Sequence, residues 1–330
     1  MYTYYICPRA RCEVLKKLLG FNKLYKENIE QHMKERLKVV CIGSAIVDIE
    51  ILSTEETKEL EKGEISYFPA EIKQRAGGVA RNHAEALARL GIDVDLISAF
   101  GIDLNGLENL INDKANLIEL ADYLVIDANF PSRVIERVLY LANRSETKIW
   151  LDPTDALKVP YLFEALGEWP LKNVDVFSPN FNELRAFSVC FSQKVGGTEA
   201  LECSQFVSQV EEKLTNKNNF LLEWLSTIKL PRALQPRKYL IITFDLYGVL
   251  IFTRLKNDEF LGEFLEAPDL SKEEILSASG AGDCFNCGFL SAILNNFELN
   301  KCLQVGRKCA ELSLLSTETV PETINKELLK

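Results

Sequence analysis

The stretch "DYLVIDANFPSRVIERVLYLANRSETKIWLD", Asp122 to Asp152, decides the fold. It opens on one apolar run, "DYLVID", and closes on another, "TKIWLD". Between them lies "SRVIERVLYLANR", whose apolar residues recur at helical spacing. A strand, a helix and a second strand in this order predict neighbouring parallel strands with the helix packed on one face of the sheet.

The same rhythm extends in both directions. Toward the N-terminus, "KVVCIG" reads as a buried strand, and "GGVARNHAEALARLG" as a helix opened by Gly77 and Gly78 and stopped by Gly91. "DVDLISAFG" reads as a strand, followed by a helix around "GLENLINDKANLIEL". Toward the C-terminus come a strand at "VDVFS", a helix from Asn180 and a mostly helical stretch from Thr198 to Ile228. Two apolar runs, "KYLIITF" and "GVLIFTR", precede a helix at Gly280 and another from Lys301. "VDIEIL" and "ISYFPAEI" alternate only partly and predict a small β element outside the main sheet. The pattern is that of an α/β chain with a mostly parallel sheet covered on both faces. Ligands bind such sheets at the carboxyl ends of the strands. Asp48, Asp127, Asn129, Asp152 and Asn180 closely follow apolar runs and are expected to crowd that edge.

Composition narrows the chemistry. The 330 residues are 47 % hydrophobic and 26 % charged, with a formal charge of −10 that gives no basic footprint for nucleic acid. No apolar run is long enough to span a membrane. Nine scattered cysteines favour a reducing compartment, so a cytoplasmic location is expected, with a mitochondrial one as the alternative. The alternative comes from residues 1–36, a basic, acid-poor N-terminal extension expected to be helical or disordered. With His32 and His83 the only histidines, a His-rich metal centre is excluded, and carboxylates, backbone groups or lysines must carry the chemistry.

Gly280, Ala281, Gly282 and Asp283 open an apolar helix, "GAGDCFNCGFLSAIL". Amides at such a helix start lack intrahelical partners, and glycines let an anion approach them closely. A phosphate cradled there would repel Asp283 as a ligand but would leave it placed to accept a proton from an incoming hydroxyl. The bland alternative is a capped helix with Asp in its first turn. Cys284 and Cys287, one turn apart, lack further zinc ligands at suitable spacing and read as packing residues.

"GGVARNHAEALARLG" and "GAGD", in this order, resemble the two signatures of the ribokinase-like (PfkB) carbohydrate kinase family over about Leu37 to Ser316, and the form "GGVARN" looks most like its pseudouridine kinase branch. The resemblance implies a three-layer αβα sandwich with a β lid, occupying residues 37–330. It implies ATP- and Mg2+-dependent phosphorylation of the 5′-hydroxyl of a ribosyl compound such as pseudouridine, with a monovalent cation such as K+ as a possible cofactor. It also implies that Asp283 is the catalytic base and that Gly280, Ala281 and Gly282 form an anion hole. Thr243 and Gly248 would line the ATP site. Asp48, Gly77, Gly78, Asn82 and Asn129 would contact the substrate, Asp127 matching an acidic position beside Asn129. Asn180 and Glu183, as N-x-x-E, would organise the metal through water. The partner implied is a small sugar or nucleoside, with a homodimer allowed. Each residue also has a structural reading: Asn82 as a packing or capping amide, Glu183 as a solvated helix carboxylate, Asn129 as a turn residue.

Three departures stand out. After "FGIDLNG" the chain runs almost directly into the next core strand, so a segment of the lid after residue 106 is expected to be absent and the lid reduced. "TFDLYG" puts Asp245 where the family carries glycine. Residues 188–236 contain an insertion. The alternatives left open are another sugar or nucleoside kinase, or a catalytically impaired kinase-like protein.

Overall fold

A computed structural model describes residues 2–6, 38–53, 70–99, 104–167, 171–194, 200–202, 211, 223, 226, 229–231 and 235–330. The strands are β1 Tyr2–Ile6, β2 Lys38–Ile42, β3 Ile46–Ser53, β4 Ala70–Gly77, β5 Asp93–Ser98, β6 Tyr123–Asp127, β7 Lys148–Asp152, β8 Val176–Phe177, β9 Ala200–Glu202, β10 Lys229–Pro231, β11 Tyr239–Thr243, β12 Gly248–Arg254 and β13 Phe260–Glu266. The helices are α1 Val79–Arg89, α2 Leu104–Asp113, α3 Ala115–Glu119, α4 Ser132–Arg144, α5 Val159–Leu166, α6 Phe181–Lys194, α7 Ala281–Leu294 and α8 Leu299–Leu314.

Nine strands form one sheet in the order β1-β5-β2-β6-β7-β8-β11-β12-β13. It is parallel from β1 through β11, and β12 then pairs antiparallel with both β11 and β13. The strand–helix–strand unit of the opening stretch is present as β6, α4 and β7, with Asp127 opposite Asp152 at the strand ends.

The central strands are apolar on both faces, and their period of two sorts the side chains into two cores. Val40, Ile42, Leu124, Ile126, Ile149 and Leu151 pack with the face covered by α2 to α6. Val39, Cys41, Tyr123, Val125 and Trp150 pack with the face covered by α1, α7 and α8. This is the expected three-layer arrangement.

Outside the main sheet, β3 and β4 pair antiparallel from Ile46 with Gly77 to Ser53 with Ala70. The small β element is therefore present, but its second strand begins at Ala70, beyond most of "ISYFPAEI"; residues 65–69 lie outside the described residues. Among the described residues this lid element has two strands.

Three expectations need adjusting. Residues 2–6, assigned to a helical or disordered extension, form β1 against β5, and "YTYYI" is rich in strand-favouring residues. Residues 7–37 lie outside the described residues. Within the stretch read as mostly helical, Ala200–Glu202 is a strand paired with Lys229–Pro231; most of the insertion is likewise outside the described residues. Strand β13 went unread, although Phe260 and Phe264 point inward while Leu261 stays exposed. No helix among the described residues is long and apolar enough to cross a membrane.

Candidate functional site

Gly280 caps α7 in the left-handed region, φ 84°, and a Cβ there would stand 2.7 Å from the Thr319 carbonyl oxygen. Only glycine suits both the angle and the space. The turn leaves Gly282 exposed, with nothing within 4 Å of where its Cβ would be. Ala281 and Asp283 are half-buried. The start of α7 is thus open on the side where an anion would meet its amides.

Asp283 is held by the other signature. Asn82 Nδ2 donates to Asp283 Oδ2 at 2.7 Å, across 201 positions of sequence. The other end of the Asn82 amide is taken too: Arg81 donates to its Oδ1 at 3.0 Å and to the Ala76 carbonyl at 3.0 Å. Arg81 also pairs with buried Glu85, which Arg89 holds from the next turn. The sequence drew attention to Asn82 but not to Arg81, which fixes that amide.

Asp127 is fully buried and spent on the backbone. Its Oδ2 accepts from Ser44 N at 2.8 Å, Ser44 Oγ at 2.9 Å and Ala80 N at 3.0 Å, and its Oδ1 accepts from Asn129 N at 2.9 Å. It ties the β2 end, the start of α1 and the β6 end together, so it does not present a carboxylate to a ligand. Asn129 Nδ2 donates to Ser44 Oγ at 2.9 Å. Gly78 is the N-cap of α1 with φ 98°. The Asp48 carboxylate lies directly over Gly77, where a Cβ would come within 2.1 Å of Oδ2. Any larger residue at 77 would displace Asp48.

Asn180 and Glu183 form a reciprocal cap. Glu183 N donates to Asn180 Oδ1 at 3.0 Å, Asn180 N donates to Glu183 Oε2 at 2.8 Å, and Asn180 Nδ2 donates to Glu183 Oε1 at 2.8 Å. The motif therefore has a structural role of its own. Asn180→Ala is expected to cost about 1 kcal/mol of stability, read as a lower urea midpoint. Glu183 is also buried, and its pKa is pushed up to about 7, by desolvation first and by the negative charges of Asp155 and Asp283. Each carboxylate oxygen accepts one hydrogen bond from Asn180, leaving acceptor capacity for water. A buried carboxylate short of positive charge, with oxygen donors only, fits a hydrated magnesium ion.

Two residues complete the acidic end. Asp152 Oδ1 accepts from Thr154 N at 2.9 Å, and Asn286 Nδ2, one turn beyond Asp283, lies 3.4 Å from Asp152 Oδ2. Burial raises the pKa of Asp152 well above the usual range, with Glu183 and Asp283 adding to it. Asp283 is itself pushed up to about 7 by desolvation, against the opposing pull of the Asn82 hydrogen bond. The charges of Glu183, Asp283 and Asp127 all act on Asp152, so of the five strand-end residues expected to crowd together Asp127 and Asp152 share this acidic environment, joined by Glu183 and Asp283 from the helices. Among the described residues, Asp48 makes no hydrogen bond to this group. Asn286 was missed; its only signal in sequence was its one-turn spacing from Asp283.

The side of the site at Thr243 and Gly248 is less tightly connected. Asn180 bridges Thr243 in parallel, and Thr243 N donates to the Pro179 carbonyl at 3.2 Å, which places Thr243 beside the N-x-x-E cap. Gly248 is buried with φ 123°, and a Cβ there would stand 2.1 Å from the Leu265 carbonyl, so β-sheet packing alone demands glycine. Asp245 is exposed at φ 46°, a conformation that suits the glycine it replaces. Cys284 and Cys287 are buried free thiols, their Sγ atoms 3.4 Å from the Thr319 carbonyl and 3.5 Å from the His83 carbonyl. Burial pushes both pKa values up, so they are packing groups as expected.

The pfkB family carbohydrate kinase profile matches residues 36–115 and 105–325. A nucleoside kinase from Methanocaldococcus jannaschii is 22 % identical over 296 residues, covering 83 % of this chain and 89 % of that protein. A pseudouridine kinase from Escherichia coli is 24 % identical over 297 residues, covering 86 % and 92 % respectively. The structure of an Arabidopsis thaliana ribokinase complexed with ribose and ATP superposes with a TM-score of 0.60 at 15 % identity, covering 90 % of this chain and 99 % of that one. With the sheet order, the two linked signatures and a family match over most of its length, the chain belongs to the pfkB family of carbohydrate kinases, as a sugar or nucleoside kinase.

Proposed function

We propose that this chain transfers the γ-phosphoryl group of ATP to the 5′-hydroxyl of a ribosyl compound, with pseudouridine the first candidate acceptor. The observation that carries the reading is the 2.7 Å hydrogen bond from Asn82 to Asp283, which joins the acceptor-side signature to the phosphoryl-side one. Asp283 takes the hydroxyl proton. The freed oxygen attacks the γ-phosphorus, the bond to the β-phosphate oxygen breaks, and ADP leaves. The amides of Gly280, Ala281 and Gly282 receive the charge on the transferring group. Asp48 and the second N–H of the Asn82 amide orient the ribose. Glu183 and Asn180 would hold the waters of a magnesium ion, which when bound neutralises the triphosphate.

Pseudouridine is favoured by the form "GGVARN" and by a relative of that name; the nucleoside kinase relative keeps other nucleosides as competitors. Turnover of ATP with pseudouridine, uridine, adenosine and ribose tests the choice, the highest kcat/KM being expected for pseudouridine. A folded protein whose turnover with every acceptor equals that of Asp283→Asn would instead be a catalytically impaired kinase-like protein. The lid element, two-stranded among the described residues, and Asp245 are what favour that second reading.

Asp245 gives a separate test. Removing an acidic side chain near the triphosphate is expected to lower the KM for ATP by about threefold in Asp245→Gly. The change also relieves a non-glycine residue at positive φ, adding about 0.5 kcal/mol to stability. An unchanged KM would place the Asp245 carboxylate away from the nucleotide.

A further inference from the structure

His83 lies on α1 beside Asn82, yet nothing in the phosphoryl-transfer reading uses it. It is 2 % exposed, and neither ring nitrogen makes a hydrogen bond. Its Nε2 stands 3.9 Å from Asp152 Oδ2. One ligand atom from each of His83, Asp152 and Asp283 can be chosen so that all three lie within 4.8 Å of one another. Three separate elements, α1, β7 and α7, deliver these groups to one point.

We propose that His83, Asp152 and Asp283 form a binding site for a borderline divalent transition ion, for which Zn2+ is the natural probe. An imidazole with two carboxylates suits zinc and its neighbours better than magnesium, which takes oxygen ligands and keeps its waters. Three protein ligands and an open position are the pattern of accessible zinc sites. Tetrahedral ligands at zinc distances lie about 3.4 Å apart, so binding would draw the three groups together by roughly an ångström.

The surrounding shell is already suited to the task. Asp283 Oδ2 accepts from Asn82, and Asp152 is contacted through Thr154 N and Asn286 Nδ2. Hydrogen bonds of this kind orient ligating carboxylates. The Val79 carbonyl, one turn back on α1, acts electrostatically on the His83 ring without reaching hydrogen-bond geometry. Gly282, the residue before Asp283, is exposed with nothing within 4 Å of where its Cβ would be, so the end of α7 that carries Asp283 is open. The site differs from the N-x-x-E magnesium position because its nitrogen donor comes from α1.

The consequence for activity rests on the kinase reading above: an ion on Asp283 occupies the carboxylate that would take the hydroxyl proton. Zinc is therefore expected to inhibit turnover even with magnesium and ATP in excess.

The test uses the full chain without an affinity tag, stripped with a chelator and titrated with Co2+ in millimolar Mg2+. One equivalent of Co2+ is expected to give visible d–d absorption, and Zn2+ to abolish that absorption by displacement. His83→Gln is expected to weaken binding by about 100-fold or more, with circular dichroism unchanged. Asp152→Asn supplies the same readout should His83→Gln fail to fold. Folded wild-type protein that binds neither ion, or variants that bind like wild type, would overturn the site. Binding without inhibition of an active enzyme would overturn the regulatory consequence. An inactive protein that still binds Co2+ through His83 would sink the kinase reading and leave the site standing.

Discussion

Asp283→Asn is expected to lower turnover by about 10²–10⁴-fold while making the protein more stable at pH 8. Loss of activity follows from removing the proton acceptor while keeping an oxygen for Asn82 to donate to. The gain in stability follows from the raised pKa. Asp283 is pushed from the usual carboxylate range up to about 7 by desolvation, so the folded protein holds its proton more tightly than the unfolded chain does. Its contribution to stability is therefore fully present below about pH 4 and is lost as pH rises through about 7. Asparagine cannot ionise and escapes that loss. The variant should gain up to about 4 kcal/mol at pH 8, less at pH 5 and nothing below pH 4, measured by urea unfolding. A variant that is no more stable at pH 8, or that turns over within about tenfold of wild type, would contradict the assignment.

The same shift fixes the pH profile. Activity should fall on the acid side of about pH 7 as Asp283 takes up its proton. Glu183 is also raised to about 7 and Asp152 well above its usual range, so the limb belongs to the group of carboxylates and not to Asp283 alone. Asp283→Asn should remove one titrating partner and shift the stability profile of the others downward.

The parts of the site legible in sequence are those set by local chemistry. Two glycines before "VARN", glycine before "AGD" and Asn followed by Glu three residues later each specify a helix start. All three helix starts are present, at α1, α7 and α6. Strands β2, β5, β6 and β7 were legible because their apolar runs are short and bounded. The alternation in β13 was equally present and went unread, whereas β4, "AEIKQRAG", carries too much charge to announce a strand. Sequence reasoning could not tell which polar groups are spent on one another. Asp127 resembles a ligand acid in its motif but has backbone donors on both oxygens and a hydroxyl donor on Oδ2. His83 meets Asp152 from 69 positions away, and Asn286 meets it from 134. Only the crossing of α1 and α7 over the ends of β6 and β7 brings these side chains together.

Asp127→Ala should be the most destabilising of these substitutions, by about 4 kcal/mol or more, with the loss read as a large drop in urea midpoint. Alanine leaves Ser44 N–H, the Ser44 hydroxyl and Ala80 N–H without their acceptor at buried positions, and Asn129 N–H without its acceptor at a half-buried one. Bonds to an ionised acceptor are stronger than neutral ones, and each buried orphan costs its own desolvation. Asp127→Asn should cost less, about 2 kcal/mol, because one amide oxygen can replace Oδ2 while its NH2 group faces the Asn129 donor. Asp122→Ala is the control: Asp122 also accepts a backbone hydrogen, from Lys38 N at 2.7 Å, but at an exposed position, and should lose no more than about 1 kcal/mol. Equal costs at Asp122 and Asp127 would refute the buried-clamp account. The damage should extend to activity in whatever Asp127→Asn remains folded. Ala80, which donates to Asp127, stands two residues before Asn82, which donates to Asp283. A helix start that loses its anchor at Ala80 also loses the placement of the amide that holds the catalytic carboxylate, so kcat should fall more than the folded fraction does.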